Sequence, residues 1–237
     1  MAYMKVPPIA PNVCLVAMNS PFLNSASDYT CRLEDLSPLW IKEIRSRQAT
    51  GPYILGGWSA GGYYSFEIAK QLLREGEKVE KLILIDSPCR LVFEELSMEV
   101  VTYLSENDLM GNWGAKGAPD WLIKHFGSSL KTIRGYMPTP LGVDESDLPE
   151  VFIIWAANGV LQDTGISAAQ TELDTSRKTT QFLVVGRDDF GPVGWDRLFP
   201  GRRISIAKMP GHHFSIVHPP NVGLTSPLSL IWRNLVN

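Results

Sequence analysis

Cysteine is scarce in this chain. Its three residues, Cys14, Cys31 and Cys89, are too few and too scattered for a disulfide framework or a zinc knuckle, and they suit a reducing compartment. Long apolar runs are missing too: none reaches ten residues, against the ~20 needed to cross a bilayer. The amino terminus lacks the basic and apolar regions of a secretory signal, and no Asn-x-Ser/Thr sequon occurs. There is no excess of positive charge: 22 Lys and Arg stand against 25 Asp and Glu, a formal net charge of −3. A broad basic face for nucleic acid is therefore excluded. Internal repeats and low-complexity tracts are absent. What remains is 44% hydrophobic and 20% charged over 237 residues, an ordinary soluble composition. A chain this long buries roughly 70% or more of its unfolded surface and needs no staples. The expectation is one cytoplasmic domain spanning residues 1–237, with no membrane segment, no nucleic-acid partner, and no metal or cofactor bound by the domain itself.

Short apolar runs alternate with helical patterns, the mark of an α/β sheet. Val13 to Met18 reads as a buried strand. Leu33, Leu36, Trp40 and Ile44 recur at helical spacing, so residues 32–48 read as a helix, with Glu34 and Asp35 suited to its positive end. Tyr53 to Gly56 is a second strand. Tyr63, Phe66, Ala69 and Leu73 mark a helix that stops at Gly76. Lys81 to Asp86 is continuously apolar between its two charged ends, as a central parallel strand should be. Residues 91–150 show helical periodicity without a clear strand and read as an inserted helical lid. The sheet resumes at Val151–Trp155 and Ile204–Ala207. A last helix is expected from Pro227, with Leu228, Ile231 and Leu235 on its apolar face. The segment 181–186, QFLVVG, fits a strand or a buried helical turn equally well.

Gly57-Trp58-Ser59-Ala60-Gly61 fits the G-x-S-x-G nucleophile elbow, with a short strand before it and a helix after it, as that motif requires. The serine must sit on a sharp strand-to-helix turn in strained dihedrals, and glycines clear the close approach. The helix start then presents the N–H of Ala60 to a developing oxyanion. A phosphate-binding reading fails: Ser59 stands where G-x-G-x-x-G needs its second glycine, and no Lys-Ser or Lys-Thr follows.

A serine nucleophile needs a base and an orienting acid. Of four histidines, His125 lies in the inserted segment and reads as a packed or surface residue. His212 and His213 lie just past the last strand, where this architecture delivers its base, and either one fits; His218 follows in a Pro-rich loop. Asp86, Asp188 and Asp189 are candidate acids. Asp86, at the carboxyl end of a buried strand and followed by Ser-Pro, is the best placed.

At this point the residues point to a family. The stretch EIRSRQATGPYILGGWSAGGYYSFEIAKQLLREGEKVEKLILIDSP resembles the core of polyketide synthase thioesterase domains, above all the thioesterase/Claisen-cyclase domains of fungal non-reducing synthases. VFIIWAANGV, DDFGPVGWDRLFPG and GHHFSIV resemble later blocks of the same domains, so the likeness runs from about Val6 to His218. It implies an α/β-hydrolase fold with a helical lid and a triad carried by Ser59, Asp86 and His213, the last preferred over His212 because it directly precedes Phe214. In similar domains an earlier strand ends in a Pro-Asp-Gly-x-Gly type loop that donates the second oxyanion N–H. This chain is expected to begin after that loop, truncated by about one strand and short of that donor. The resemblance also implies an acyl carrier protein and other synthase domains as partners, with the polyketide presented on the carrier's phosphopantetheine. Release would proceed by hydrolysis or by cyclisation. Trp58, Trp113, Trp121 and Tyr136, with Phe126 and Met137, either line an apolar chamber for the chain or pack the lobe. A catalytically impaired acyl- or carrier-binding relative and a general carboxylesterase are the competing readings.

Overall fold

The computed structural model describes residues 13–110 and 118–222. The first helix, α1 (Leu33–Arg47), buries Leu33, Leu36, Trp40 and Ile41. Pro38 lies inside it and has no N–H for the carbonyl four residues back. That carbonyl, of Glu34, is taken instead by Gln71 Nε2 at 2.9 Å, which ties α1 to its neighbour. Strand β1 (Tyr53–Trp58) leads through the elbow into α2 (Gly61–Arg74). α2 ends at Gly76, whose φ of +82° lets the chain turn back. There Gly76 N–H bonds the Leu73 carbonyl and Glu77 N–H the Leu72 carbonyl, satisfying the helix's last acceptors.

Strand β2 (Val79–Ile85) follows, then helices α3 (Met98–Glu106) and α4 (Asp120–Gly135), then β3 (Glu150–Asn158). The last strand is β4 (Ile204–His212). The four strands form one sheet in the order β1-β2-β3-β4, every pair parallel. Alternation along the central strands explains their continuous hydrophobicity. Leu82, Leu84, Ile153 and Trp155 face the larger core, with α1 and α2. Ile83, Ile85, Ile154 and Ala156 face a second cluster with Met209, Ile216 and Val217. Both faces are thus covered, as parallel sheets demand. Parallel pairing also brings the carboxyl ends of all four strands to one edge.

One sequence expectation changes and one open reading is decided. Val13–Met18 is not a buried strand: only Val13 forms a bridge, and residues 14–17 are exposed. Its apolar side chains border a hollow beside α1 and β1 instead of a sheet interior. The ambiguous QFLVVG is helical: a turn at Lys178–Thr180 continues as a π-helix over Gln181–Val185 that buries Phe182, Leu183 and Val184. The expected final helix with Leu228, Ile231 and Leu235 lies outside the described residues. Among the described residues, no helix is long and apolar enough to cross a membrane.

Candidate active site

Ser59 sits between β1 and α2 at φ +57°, a left-handed conformation that non-glycine residues rarely adopt. Its N–H bonds the Ile85 carbonyl at 2.9 Å and its carbonyl accepts from Gly62 N–H at 3.0 Å. The turn closes only because side chains are missing. A Cβ on Gly57 would collide with the backbone of Gly61 and Gly62, and one on Gly62 with the Ser87 side chain. Ala60 is the N-cap of α2, at the end of the helix where N–H groups lack intrahelical partners and the dipole favours negative charge.

Asp86 ends the neighbouring strand in the same way, at φ +45°. Its N–H bonds the Ile154 carbonyl at 2.7 Å. The side chain is fully buried, yet both carboxylate oxygens are engaged. Oδ2 lies 2.7 Å from His213 Nδ1; Oδ1 accepts from Ala156 N–H at 2.9 Å and from Arg187 Nη2 at 2.6 Å. Burial is the largest single influence on this carboxyl and disfavours its charge. The His213 hydrogen bond, the Arg187 and His213 charges and the Ala156 N–H outweigh it and hold the carboxyl below the usual Asp range.

His213 follows β4 directly and completes the relay: its Nε2 lies 2.9 Å from Ser59 Oγ. Because a carboxylate only accepts, Nδ1 carries the proton, which leaves Nε2 to accept from the serine hydroxyl. The imidazole is nearly buried among Trp58, Phe214 and Phe182, at ring distances of 5.1, 5.1 and 6.2 Å. Trp58 Nε1 donates to the His213 carbonyl at 2.9 Å. Trp58, expected at the substrate, also packs against the imidazole. Chemically the arrangement can abstract the serine proton and stabilise the imidazolium that results.

The neighbouring candidates lie outside this relay. His212 Nδ1 accepts from Phe214 N–H at 3.3 Å, and its backbone N–H bonds Ser215 Oγ at 2.8 Å. His218 N–H closes a turn on Ser215. Asp189 Oδ1 accepts from Gly191 N–H at 2.7 Å in a tight loop, while Asp188 borders a small cavity of about 170 Å³. His125 packs against the Tyr29 ring at 5.7 Å, and its partial burial lowers its pKa. Among the described residues no cluster of His, Cys, Asp or Glu could hold a metal ion.

The expected chamber residues separate. Tyr136 is core: it is 2% exposed and its hydroxyl donates to Glu67 Oε2 at 2.9 Å, where burial and that carboxylate push its ionisation far up. An aromatic whose polar atom is already satisfied inside the core has nothing left to offer a ligand. Trp121, in the first turn of α4, is 44% exposed, and Met137 is exposed as well. Phe126 packs against the main core. Trp113 lies outside the described residues. The larger cavity, of about 380 Å³, is walled by Val13–Met18, Trp40, Ile44, Tyr53 and Tyr64 rather than by these aromatics.

Arg187 is the residue that sequence reasoning missed. The guanidinium stacks over Phe182 at 3.8 Å and Trp155 at 4.6 Å, positions far apart along the chain. Its only signal was a cation placed directly after the apolar QFLVVG segment.

A family model described as "Thioesterase domain" matches residues 10–100. Over 93% of its length the chain is 38% identical to the non-reducing polyketide synthase terA of Aspergillus terreus, covering 10% of that protein. It is 35% identical, over 92% of its length, to the bikaverin polyketide synthase bik1 of Gibberella fujikuroi, covering 11% of it. The chain thus spans about a tenth of the length of the curated relatives it matches. Among solved structures, the NocB thioesterase domain in covalent complex with a fluorophosphonate nocardicin G analogue superposes with a TM-score of 0.63 at 19% identity, covering 93% of this chain and 81% of that one. The RedJ thioesterase of the prodiginine pathway of Streptomyces coelicolor gives 0.56 at 18% identity, covering 86% and 70%. These likenesses establish a shared α/β fold.

Proposed function

We propose that the chain is a thioesterase domain of the kind carried by fungal non-reducing polyketide synthases, which it resembles, and that it is a serine acyl-transfer enzyme releasing a polyketide from the phosphopantetheine arm of an acyl carrier protein. The observation that carries this reading is the unbroken relay from Ser59 Oγ through His213 to Asp86, at 2.9 and 2.7 Å. His213 Nε2 takes the hydroxyl proton as Ser59 Oγ attacks the thioester carbonyl. The tetrahedral oxyanion forms near the Ala60 N–H at the start of α2, where a fixed donor stabilises charge that develops only in the transition state. As the intermediate collapses, the C–S bond breaks, the imidazolium returns its proton to the departing thiolate, and an acyl-Ser59 ester remains. His213 then activates a second nucleophile, either water or a hydroxyl or acidic carbon of the bound chain. The product is an acid, a lactone or a Claisen-closed ring accordingly. In this reading the helical segment between β2 and β3 acts as the lid, and the other synthase domains are the working partners.

The test is labelling by a fluorophosphonate, located by peptide mass spectrometry, followed by rates on carrier-bound and simple substrates. Labelling at Ser59, lost in Ser59→Ala and His213→Ala, together with faster turnover of carrier-bound thioesters, is expected. A folded protein that does not label contradicts the nucleophile. Faster turnover of simple esters contradicts the carrier-linked substrate and points to a carboxylesterase.

A further inference from the structure

Arg187 touches neither the serine nor the imidazole, yet it is among the most elaborately held side chains in the molecule. Its guanidinium carbon lies 3.8 Å from the Phe182 ring centroid and 4.6 Å from that of Trp155, two rings set edge to face, with Phe190 at 5.9 Å. Its backbone is fixed by the end of the π-helix, where Gly186 N–H bonds the Gln181 carbonyl at 2.9 Å. Gly186 turns at φ +106°, and Gly159 lies so close to it that a Cβ there would strike the Val185–Gly186 backbone. The guanidinium is 10% exposed, and among the described residues Asp86 is the one carboxylate within ion-pair distance of it. Its Nη1 is buried without a hydrogen-bond partner. A cation taken this far out of water for a single carboxylate loses its solvation, so this placement is not explained by stability alone.

We infer that Arg187 is a positioning residue of the relay: it pins the Asp86 carboxylate through the oxygen His213 does not use, and its charge offsets that of the carboxylate facing the imidazole. The inference rests on the Ser59–His213–Asp86 reading above. The geometric half follows from the two donors on Oδ1, Arg187 Nη2 and Ala156 N–H, which stop the carboxylate from rotating away from His213 Nδ1. The electrostatic half follows from sign. A carboxylate beside an imidazole favours the protonated ring, and a cation on that carboxylate opposes it. A protonated ring cannot take the serine proton. The other charged groups near the pair are few. Lys178, Asp188 and Asp189 border the small cavity beside Arg187, and Lys208 of β4 lies over Phe190 at 3.9 Å. Ser59 and the rings of Trp58, Phe182 and Phe214 face the imidazole, with His212 next to it in the chain.

The test is the second-order rate of fluorophosphonate labelling of the full chain as a function of pH, with folding checked by near-ultraviolet circular dichroism. In Arg187→Gln the acid limb moves to higher pH, and the plateau falls about 10- to 100-fold as the carboxylate loosens. In Arg187→Lys the limb stays at the wild-type position while the plateau falls, because an ammonium keeps the charge but not the planar fork or the stacking. A folded Arg187→Gln protein whose limb does not move overturns the inference, since a merely structural role lowers the plateau alone. Should the Gln variant not fold, the Lys variant decides. A plateau that falls in the wild-type background but not further in Asp86→Asn supports the inference, whereas a wild-type plateau, or the same fold loss in both backgrounds, overturns it. A wild type that does not label at Ser59 overturns the nucleophile reading itself and this inference with it, which distinguishes the two failures.

Discussion

Ser59 and Asp86 occupy equivalent places and are held in opposite ways. Each ends a parallel strand of the same sheet, each has a positive φ (+57° and +45°), and each sends its backbone N–H to the neighbouring strand. Around Ser59 the structure works by subtraction: Gly57 and Gly62 remove side chains, and among the described residues the hydroxyl makes one side-chain hydrogen bond, to His213. Around Asp86 it works by saturation, with three donors on two oxygens and no exposure. A nucleophile must move toward its substrate and keep one face open. An orienting acid must not move at all. The same backbone strain therefore serves a free group in one place and a locked one in the other.

This contrast predicts opposite responses to substitution. The largest expected effect is on rate. Ser59→Ala lowers turnover by about 10⁵–10⁶ and Asp86→Asn by about 10⁴, measured by single-turnover kinetics, because the imidazole keeps some basicity without its orienter. Equal losses would erase the difference between the two positions. The second effect is on stability and runs the other way. Asp86→Ala leaves Arg187 as an unpaired buried cation and costs about 3–5 kcal/mol, whereas Ser59→Gly relieves a left-handed backbone and raises the melting temperature slightly. Calorimetric melting of both variants checks this pair.

Acid pH sharpens the comparison further. The Asp86 carboxyl is held below its ordinary value of 3.8 in the folded chain. Its contribution to stability is therefore complete above that ordinary value and is lost as pH falls below it through the lowered folded value. Denaturant melts repeated at decreasing pH should show the wild type losing this increment while Asp86→Asn does not. Filling the cleared turn comes next: Gly57→Ala forces a Cβ onto the elbow backbone and costs about 1–3 kcal/mol by the same melts. The smallest effects fall on the residues expected to line a chamber. Tyr136→Phe leaves Glu67 one donor short and costs about 1–2 kcal/mol, and Trp121→Ala changes stability by less than about 0.5 kcal/mol.

How much of this was legible in sequence follows from the kind of force that places each residue. Ser59 could be read directly, because an elbow depends on glycines at fixed spacing and on the strand and helix beside it. β2 and β3 were legible because burial on both faces leaves no polar position to interrupt the run. Asp86 followed from its place at a strand end, and His213 was separated from His212 only by the likeness to known domains. The rest depends on tertiary placement. Val13–Met18 is as apolar as a strand but borders a hollow. Tyr136 was expected at a chamber and is anchored in the core by Glu67, 69 positions away in the chain. Arg187 meets its carboxylate across 101 positions, and its aromatic supports come from β3, the π-helix and a later loop. No local pattern announces such a contact.

The most direct test of the central claim is intact-protein mass spectrometry of the chain mixed with a carrier-bound aromatic polyketide thioester and quenched within a single turnover. An acyl adduct that maps to Ser59, forms far more slowly when Asp86 is changed to Asn, and never forms in Ser59→Ala is the predicted result. Release of the free thiol by the wild type with no adduct at any time, and undiminished release by Ser59→Ala, would contradict the account.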